Sequence, residues 1–140
     1  MLENLEELKK EWIVDEEEIF KEKSKLAKLV KRMMNYCKVT KSGDVIINDN
    51  YEGITIKEKV CLYAMARFLA NKLDENIPRE VKADEIAESL MIDRRVVMAR
   101  LKDLKDEKYL IRESRGIYHA NPSKIEAFLH ELDKKYGSKE

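Results

Sequence analysis

The strongest constraint on the fold is the spacing of the apolar residues that follow Asp93. Val97, Leu101 and Leu104 recur at intervals of four and three, which places them on one face of an α-helix. Asp93 is a favoured helix cap, because its carboxylate accepts hydrogen bonds from the first free amides. The pattern predicts a helix over about residues 93–108 that buries its valine and leucine side against a core.

The residues on either side of this helix predict a short helix before it and a hairpin after it. Residues 84–90 carry apolar side chains at helical spacing, and residues 91–93 form a tight turn between the two helices. Two β-prone runs, 109–111 and 117–118, flank a turn at residues 114–116 that ends in glycine. We therefore expect helix, turn, helix and hairpin in that order.

The N-terminal part predicts two helices and a small hairpin. The first is a short amphipathic helix, indicated by apolar residues at intervals of three to four: Leu2, Leu5, Leu8 and Trp12. The second runs from Asp15 to about Cys37, with acidic residues at its positive end. Residues 39–47 contain two β-prone runs around Gly43, which supplies the positive φ angle of a hairpin turn.

A long central helix and a terminal helix complete the expected elements. The central helix spans residues 56–73 with Thr55 as its cap. The terminal helix is expected to be capped by Ser123. Its apolar residues share one side: Ile125, Phe128 and Leu129. These patterns divide the chain into an N-terminal extension for packing or dimerisation, residues 1–54, and a domain of residues 55–140.

Composition indicates a folded protein and favours a hyperthermophile source. Hydrophobic residues make up 44% of the chain, enough for a core, and charged residues reach 40% with no glutamine. Abundant lysine and glutamate are typical of hyperthermophile proteins, although a lysine-rich mesophile is the alternative. No apolar run approaches the roughly 18 residues that span a bilayer, and the acidic N-terminus does not resemble a signal peptide. We therefore expect a cytoplasmic protein with no membrane contact.

Charge is strongly segregated along a chain whose formal net charge is zero. Residues 1–24 carry four basic and nine acidic side chains, a balance of −5. Residues 25–41 carry six basic side chains and no acidic ones, a balance of +6. A distribution of this kind can give a neutral protein a positive face.

Cysteines and histidines give no sign of a metal site or a catalytic centre. Cys37 and Cys61 fall within apolar patterns and are expected to be buried, with a disulfide between them as the alternative. His119 and His130 have no second ligand at metal-site spacing. The sequence contains no phosphate-binding glycine loop, no His-Glu-x-x-His motif and no serine nucleophile flanked by glycines in a Gly-x-Ser-x-Gly motif. We expect no enzymatic activity and no cofactor.

The order of short helix, turn, longer helix and hairpin resembles the winged helix-turn-helix superfamily of prokaryotic and archaeal transcription regulators. The resemblance covers about half the chain, residues 55–121. It is carried by Glu85-Ile86-Ala87-Glu88, Met91-Ile92-Asp93, Arg94-Arg95-Val96-Val97, Leu101 with Leu104, and Tyr109-Leu110. It implies a mainly α fold with a small β-wing, to which this chain adds N-terminal helices and a C-terminal helix.

The chain departs from this resemblance at three positions. Members often have glycine in the turn between the two helices and again before the first wing strand, where this chain has Met91 and Lys108. Members often cap the short helix with serine or threonine, where this chain has Lys82 or Ala83. If Met91 adopts a left-handed conformation, its side chain costs roughly 1–2 kcal/mol.

The resemblance implies sequence-specific binding of double-stranded DNA through the helix that begins near Asp93. A helix fits the major groove of B-DNA and approaches base edges with its N-terminal residues. Arg94 and Arg95, at the exposed start of the helix, are expected to read guanine or to clamp a phosphate. Met98 and Lys102 are expected on its outer surface, since the buried face lies opposite them.

The wing, residues 110–119, is expected to supply a second contact. Arg112 and Arg115 would reach an adjacent minor groove or phosphate. Arg100 would contact the DNA backbone or pair with a nearby carboxylate. In a protein so rich in charge, each of these residues has the alternative of an ordinary solvated position. The same two interpretations apply to a basic stripe at 4-3-4 spacing: Lys21, Lys25, Lys28 and Arg32.

The remaining expectations concern partners. The additional helices either pack on the core or build a homodimer, in which two recognition helices about 34 Å apart match a two-fold DNA site. A protein-interaction module without DNA binding is the alternative function, because winged helices also serve as assembly pieces. RNA is a weaker third option, because the sequence lacks an aromatic stacking surface. The sequence identifies no small-molecule ligand.

Overall fold

The computed structural model of the protein describes residues 4–13, 15, 23–48, 51 and 53–137. Over these residues the fold is mainly helical, with two small antiparallel sheets. The helices are α1 (Leu5–Trp12), α2 (Lys23–Met33), α3 (Ile56–Leu73), α4 (Ala83–Leu90), α5 (Arg94–Asp106) and α6 (Ile125–Tyr136), with a 3-10 turn at Pro122–Lys124. The strands are β1 (Cys37–Val39), β2 (Val45–Ile47), β3 (Val81–Lys82), β4 (Leu110–Ser114) and β5 (Ile117–Ala120).

Helix α3 forms as predicted and lies at the centre of the core. The Thr55 hydroxyl accepts the Glu58 amide at 3.1 Å, and the Glu58 carboxylate accepts the Thr55 amide at 2.9 Å, so two otherwise free donors are satisfied. Residues 60–69 are all buried. A helix that is buried on every side is surrounded by other elements. Around α3 pack the hairpin β1–β2, helix α5 and strand β5.

Arg67 lies in the middle of α3 and is only 2% exposed. Among the described residues, it is the one charged residue that is buried. Its Nε donates to the Gly43 carbonyl at 2.6 Å, and Nη1 donates to the Pro78 and Glu80 carbonyls at 3.1 and 3.2 Å. Its Nη2 donates to the Glu85 carboxylate at 2.5 Å. A buried charge is tolerated when it is paired and hydrogen-bonded. Arg67 therefore joins the hairpin turn, the loop after α3, and α4.

The predicted hairpin around Gly43 is confirmed. Strands β1 and β2 pair antiparallel, with Cys37 opposite Ile47 and Val39 opposite Val45. Gly43 has a φ of +97°, and a Cβ there would lie only 3.2 Å from the Nε of Arg67. Glycine is needed at this position for its conformation and also for the space that the buried guanidinium occupies.

The predicted bounds of α2 are partly wrong. The helix ends at Met33 rather than at Cys37, because Cys37 is recruited into strand β1. Tyr36 closes the intervening turn by donating its amide to the Met33 carbonyl at 2.9 Å. The predicted start at Asp15 depends on an acidic first turn that lies in residues 16–22, outside the described residues.

Helices α4 and α5 are joined by a left-handed residue. Met91 has φ 58° and ψ 47°, and Ile92 donates its amide to the Ala87 carbonyl at 3.0 Å, which closes the helix end in the manner of a Schellman motif. Lys108, after α5, is also left-handed, with φ 74°. These are the two positions at which the resemblance leads one to expect glycine.

Strands β3, β5 and β4 form the second sheet in that order. The hairpin β4–β5 was predicted and pairs Leu110 with Ala120, whereas β3 was not predicted. Val81 of β3 lies opposite Tyr118 of β5. A strand of two residues is too short to show an alternating pattern, so only its partner strand reveals it.

The predicted cap of the C-terminal helix, Ser123, does not cap it: α6 begins at Ile125, after Lys124, which makes no side-chain cap hydrogen bond. Asn121 caps the 3-10 turn that precedes α6, since its side-chain oxygen accepts the Ser123 amide at 3.2 Å and the Ser123 hydroxyl at 2.9 Å. Pro122 follows as the first residue of a 3-10 turn, a position where its missing amide costs nothing. Helix α6 then packs on the core through one buried side: Ile125, Phe128, Leu129 and Leu132.

Polar contacts fasten α6 to α3 and α2. The Tyr136 hydroxyl and the Lys135 ammonium donate to Glu58 at 2.7 and 2.9 Å. Burial alone would raise the pKa of Glu58, but the hydrogen bonds from the helix cap and from these two side chains outweigh it and lower that pKa. Arg32 of α2 donates to Asp133 at 3.1 Å. Helix α6 is thus joined by polar contacts to both α2 and α3.

The two cysteines, Cys37 and Cys61, are free and buried, so the disulfide alternative is not realised. Burial raises the pKa of the Cys37 thiol to about 12 and raises that of Cys61 well above its usual value. Both thiols therefore act as small apolar side chains.

Helix α1 differs from the others because none of its residues is buried. Asn4 caps it by accepting the Glu6 amide at 2.9 Å. The predicted amphipathic helix is confirmed from Leu5 to Trp12, and Leu2 lies outside the described residues. In the described part of the chain, no helix combines the length and the apolar character needed to cross a membrane.

Replacement of Arg67 tests the importance of the buried guanidinium. Arg67→Ala leaves three carbonyls and the Glu85 carboxylate without their donor, so we expect the free energy of unfolding to fall by about 3–5 kcal/mol. Urea denaturation measures it. Arg115→Ala, which removes an exposed arginine, is the control and should change stability by less than about 0.5 kcal/mol. Equal stability of the two variants would contradict the assigned role of Arg67.

Replacement of Met91 tests the cost of its left-handed conformation. Met91→Gly removes the clash of the Cβ atom but adds freedom to the unfolded chain, so we expect a net gain of about 0.5–1 kcal/mol. The side chain is 91% exposed and contributes little packing. Met91→Ala retains the Cβ and should show no gain. Thermal unfolding of the three proteins gives the comparison, and a Met91→Gly variant no more stable than Met91→Ala would refute the expected strain.

Candidate nucleic-acid interface

The N-terminus of α5 presents two exposed arginines, of which Arg95 lies on the side opposite to the buried face. Asp93 caps the helix as predicted, accepting the Arg95 amide at 2.7 Å. Val97 and Leu101 are fully buried, which confirms the predicted inward face and turns the start of the helix outward. The Arg95 side chain is 90% exposed, and its closest carboxylate is that of Asp93, 3.5 Å from its Nε. Arg95 is thus free to contact a partner without rearrangement of the fold.

Arg94 is also exposed, but it is held by a carboxylate on the preceding helix. Its Nε forms a short ion pair with Asp84 in the first turn of α4, and 56% of the arginine side chain remains accessible. Asp84 is 75% exposed. The spacing of residues along the sequence does not predict this ion pair, because it depends on the angle at which α4 meets α5.

Further along α5, two residues behave differently from the exposed arginines. Met98 is only half-exposed and packs against the core, so its predicted place on the outer surface is wrong in part. The angular width of the buried face is larger than the spacing of Val97, Leu101 and Leu104 suggests. Lys102 is exposed, as predicted.

Arg100 pairs with a carboxylate one turn ahead on the same helix. Its Nε lies 3.0 Å from Asp103, so the ion-pair alternative for this residue is the one observed. Lys105 forms an ion pair with the adjacent Asp106 at 3.6 Å. The second half of α5 is thereby largely neutralised, and its exposed positive charge is concentrated near the first turn and at Lys102.

The hairpin β4–β5 places two more arginines on an exposed surface. Arg112 lies opposite Tyr118, and Arg115 occupies the turn before Gly116, whose φ is +76°. Both arginines are exposed. The Gly116 carbonyl accepts the Ala83 amide at 2.9 Å, which ties the turn to the start of α4. The hairpin β4–β5 and the α4–α5 pair are therefore held in a defined relation.

Charges of opposite sign lie on the two helices of this unit. Helix α5 carries five basic and two acidic side chains, a balance of +3. Helix α4 carries three acidic side chains and no basic ones, a balance of −3. The exposed basic side chains at the start of α5 and on the hairpin β4–β5, here named the positive strip, are both connected to α4, whose own charged side chains form an acidic border.

The basic stripe on α2 is separate from this strip in sequence and is only partly available. Arg32 pairs with Asp133 at 3.1 Å. Lys28 is exposed and Lys25 is half-exposed, while Lys21 lies outside the described residues. Over the described residues, no three histidine, cysteine or acidic side chains come together in a way that could hold a metal ion.

Comparisons of the chain with protein-family models, curated proteins and solved structures return no match. The geometry of α4, α5 and the wing is the basis on which a function can be proposed.

Proposed function

We propose that the protein is a winged helix-turn-helix DNA-binding protein, probing duplex DNA with α5 as its recognition helix. The observation that carries this proposal is the Arg95 side chain, 90% exposed at the start of a helix whose opposite face is buried. The major groove of B-DNA is about 12 Å wide and admits such a helix. Sequence-specific binding of this kind is typical of a transcription regulator, which acts in the cytoplasm of a prokaryotic or archaeal cell.

The order and pairing of the elements support the proposal. From residue 56 to residue 120 the chain forms the long helix α3, the short helix α4, a left-handed turn, helix α5 and a two-stranded wing. Strand β3 precedes the short helix and completes a three-stranded sheet with the wing. The hydrogen bond that the Ala83 amide donates to the Gly116 carbonyl fixes the wing against α4, so that α5 and the wing can engage one duplex together.

The side chains suggest a division of roles. Arg95 is suited to reading guanine through two parallel hydrogen bonds, and Arg94 to a phosphate or a neighbouring base. Lys102 is suited to the phosphate backbone, as are Arg112 and Arg115 of the wing, which also match the narrow minor groove. Because Met98 is half-buried, it has room for an apolar contact at most, such as one with a thymine methyl group.

A protein-interaction module without DNA binding is the second candidate. The ion pair between Asp84 and Arg94 favours it, because a carboxylate already occupies one of the two arginines at the start of α5. The acidic balance of α4 favours it too, since phosphates approaching α5 would pass that border. The two candidates differ in their response to salt, because DNA binding releases counterions and weakens steeply as salt rises.

The first test measures binding of a labelled duplex by fluorescence anisotropy between about 50 and 200 mM salt. A duplex of preferred sequence is selected beforehand from a random pool. We expect Arg95→Ala to weaken binding to that duplex by about 1–3 kcal/mol and to relax the preference at one base pair. If Arg95 instead contacts a phosphate, every sequence loses affinity equally and the salt slope falls by about 0.9.

Lys134→Ala removes an exposed positive charge from α6 and is the matched control. It should leave both the affinity and the salt slope unchanged. Absence of binding to any duplex at the lowest salt would reject the proposal in favour of the protein-interaction module.

A second test removes the carboxylate that competes for Arg94. Asp84→Asn keeps the size of the side chain but releases the arginine and deletes one acidic charge from the border of the strip. We expect affinity for random duplex to increase several-fold, with a steeper dependence on salt. Glu126→Gln, an equivalent neutralisation on α6, is the control for net charge. Equal gains in both variants would mean that Asp84 acts only through overall charge and that Arg94 is not at the DNA.

A further inference from the structure

An apolar groove of about 470 Å³ lies between α2, β1 and the C-terminal half of α3. Met34 and Leu73 stand on its two walls, and each is 64% exposed. Its other apolar lining includes Val30, Val39 and Leu69. Large apolar side chains exposed side by side in this way mark an interaction surface rather than a solvated one.

Helix α1 carries an apolar stripe of its own. Leu5, Leu8 and Trp12 share one face at helical spacing, and Ile13 follows at the helix end. Leu5 and Trp12 are 78% and 86% exposed, and no residue of the helix is buried. Among the described residues, the chain therefore presents an uncovered apolar helix and an uncovered apolar groove, which are the two halves of a helix-in-groove contact.

We infer that α1 of a second copy of the chain docks in this groove, and that the exchange is reciprocal, giving a two-fold dimer. Since each chain carries both the helix and the groove, two copies satisfy both surfaces of both chains and the assembly closes. In this mode of binding an amphipathic helix lies in a hydrophobic groove, and its anchoring side chains, here Leu5, Leu8 and Trp12, have the spacing i, i+3 and i+7. This inference is independent of DNA binding.

Charge at the borders of the two surfaces supports this occupant. Lys9 and Glu11 lie on opposite sides of the α1 stripe. Lys38 borders the groove on the β1 side, and Asp74 borders it on the α3 side. In one of the two docking directions, Glu11 meets Lys38 while Lys9 meets Asp74, so charge selects the direction in which the helix lies.

The area of contact also fits a dimer. A tryptophan alone buries about 150–250 Å² in a contact. Each docked α1 covers the exposed parts of Trp12 and its apolar neighbours together with the exposed lining of the groove. Stable specific interfaces have a lower limit of about 1,200 Å², and two exchanged contacts come closer to that limit than one does. A single contact would fall below that limit, so reciprocity is part of the inference.

Trp12 is the single tryptophan of the chain and reports directly on docking. We expect sedimentation velocity to show dimers whose fraction increases with concentration, and the Trp12 emission to move to shorter wavelength along the same curve. Leu5→Lys changes the helix and Leu73→Lys changes the groove, and both side chains are exposed, so each variant should fold normally. Each should weaken dimerisation roughly tenfold or more by placing a charge in the apolar contact. Met91→Lys, an exposed apolar residue of α4's C-terminus, should dimerise like the unchanged chain.

Mixing the two variants gives the sharpest test. Homodimers of either variant have both contacts damaged, whereas the heterodimer has one intact contact, formed by the unchanged helix of one chain and the unchanged groove of the other. The two variants have the same mass, so one of them is produced with a uniform ¹⁵N label. Native mass spectrometry should then show heterodimer in more than the twofold excess over either homodimer that random pairing gives. A chain that stays monomeric at all concentrations would overturn the inference. Short-wavelength Trp12 emission that does not change with concentration would mean that α1 docks in the groove of its own chain, and this result would overturn it too. A dimer that both variants leave intact would overturn it as well.

Discussion

The guanidinium of Arg67 is the interaction on which the rest of the structure depends. Its donors need partners because it lies inside the core, and the partners come from the turn at Gly43, the loop that ends at Glu80, and Glu85 in the first turn of α4. Glu85 also accepts the Lys82 amide at 2.9 Å, which starts α4. One side chain of the central helix thereby sets where the hairpin lies and how the α4–α5 unit leaves the core.

The fold could be predicted wherever a local pattern had no competitor. Val97, Leu101 and Leu104 share a helical face in any context, and threonine followed three residues later by glutamate caps α3 from local chemistry alone. Prediction failed where tertiary contacts chose between local signals of similar strength. Cys37 suits a helix or a strand, and pairing with β2 decides it. Before the last helix, Asn121 caps a 3-10 turn that begins at Pro122, so Ser123, the expected helix cap, lies inside that turn.

The candidate site was predictable in its residue types but not in their pairing. Exposure of Arg95 follows from helical geometry once the buried face is known, and exposure of Arg112 and Arg115 follows from the short β4–β5 hairpin. The ion pair of Asp84 with Arg94 depends on the angle between α4 and α5, which the left-handed Met91 sets. The half-burial of Met98 depends on what packs beside α5. The spacing of residues along one helix predicts neither the angle between α4 and α5 nor the packing beside α5.

The two arginines at the start of α5 are unequal for a physical reason. Arg94 exchanges one anionic partner for another when a phosphate arrives, so its contribution to the proposed binding is the difference between two similar attractions. The pair that it leaves is exposed, and such surface pairs contribute about 0–1 kcal/mol. Arg95 faces a carboxylate at 3.5 Å that is already engaged in capping the helix, and it gives up less on binding. Recognition through α5 should therefore depend on Arg95 for affinity and on the Asp84–Arg94 pair for its sensitivity to salt.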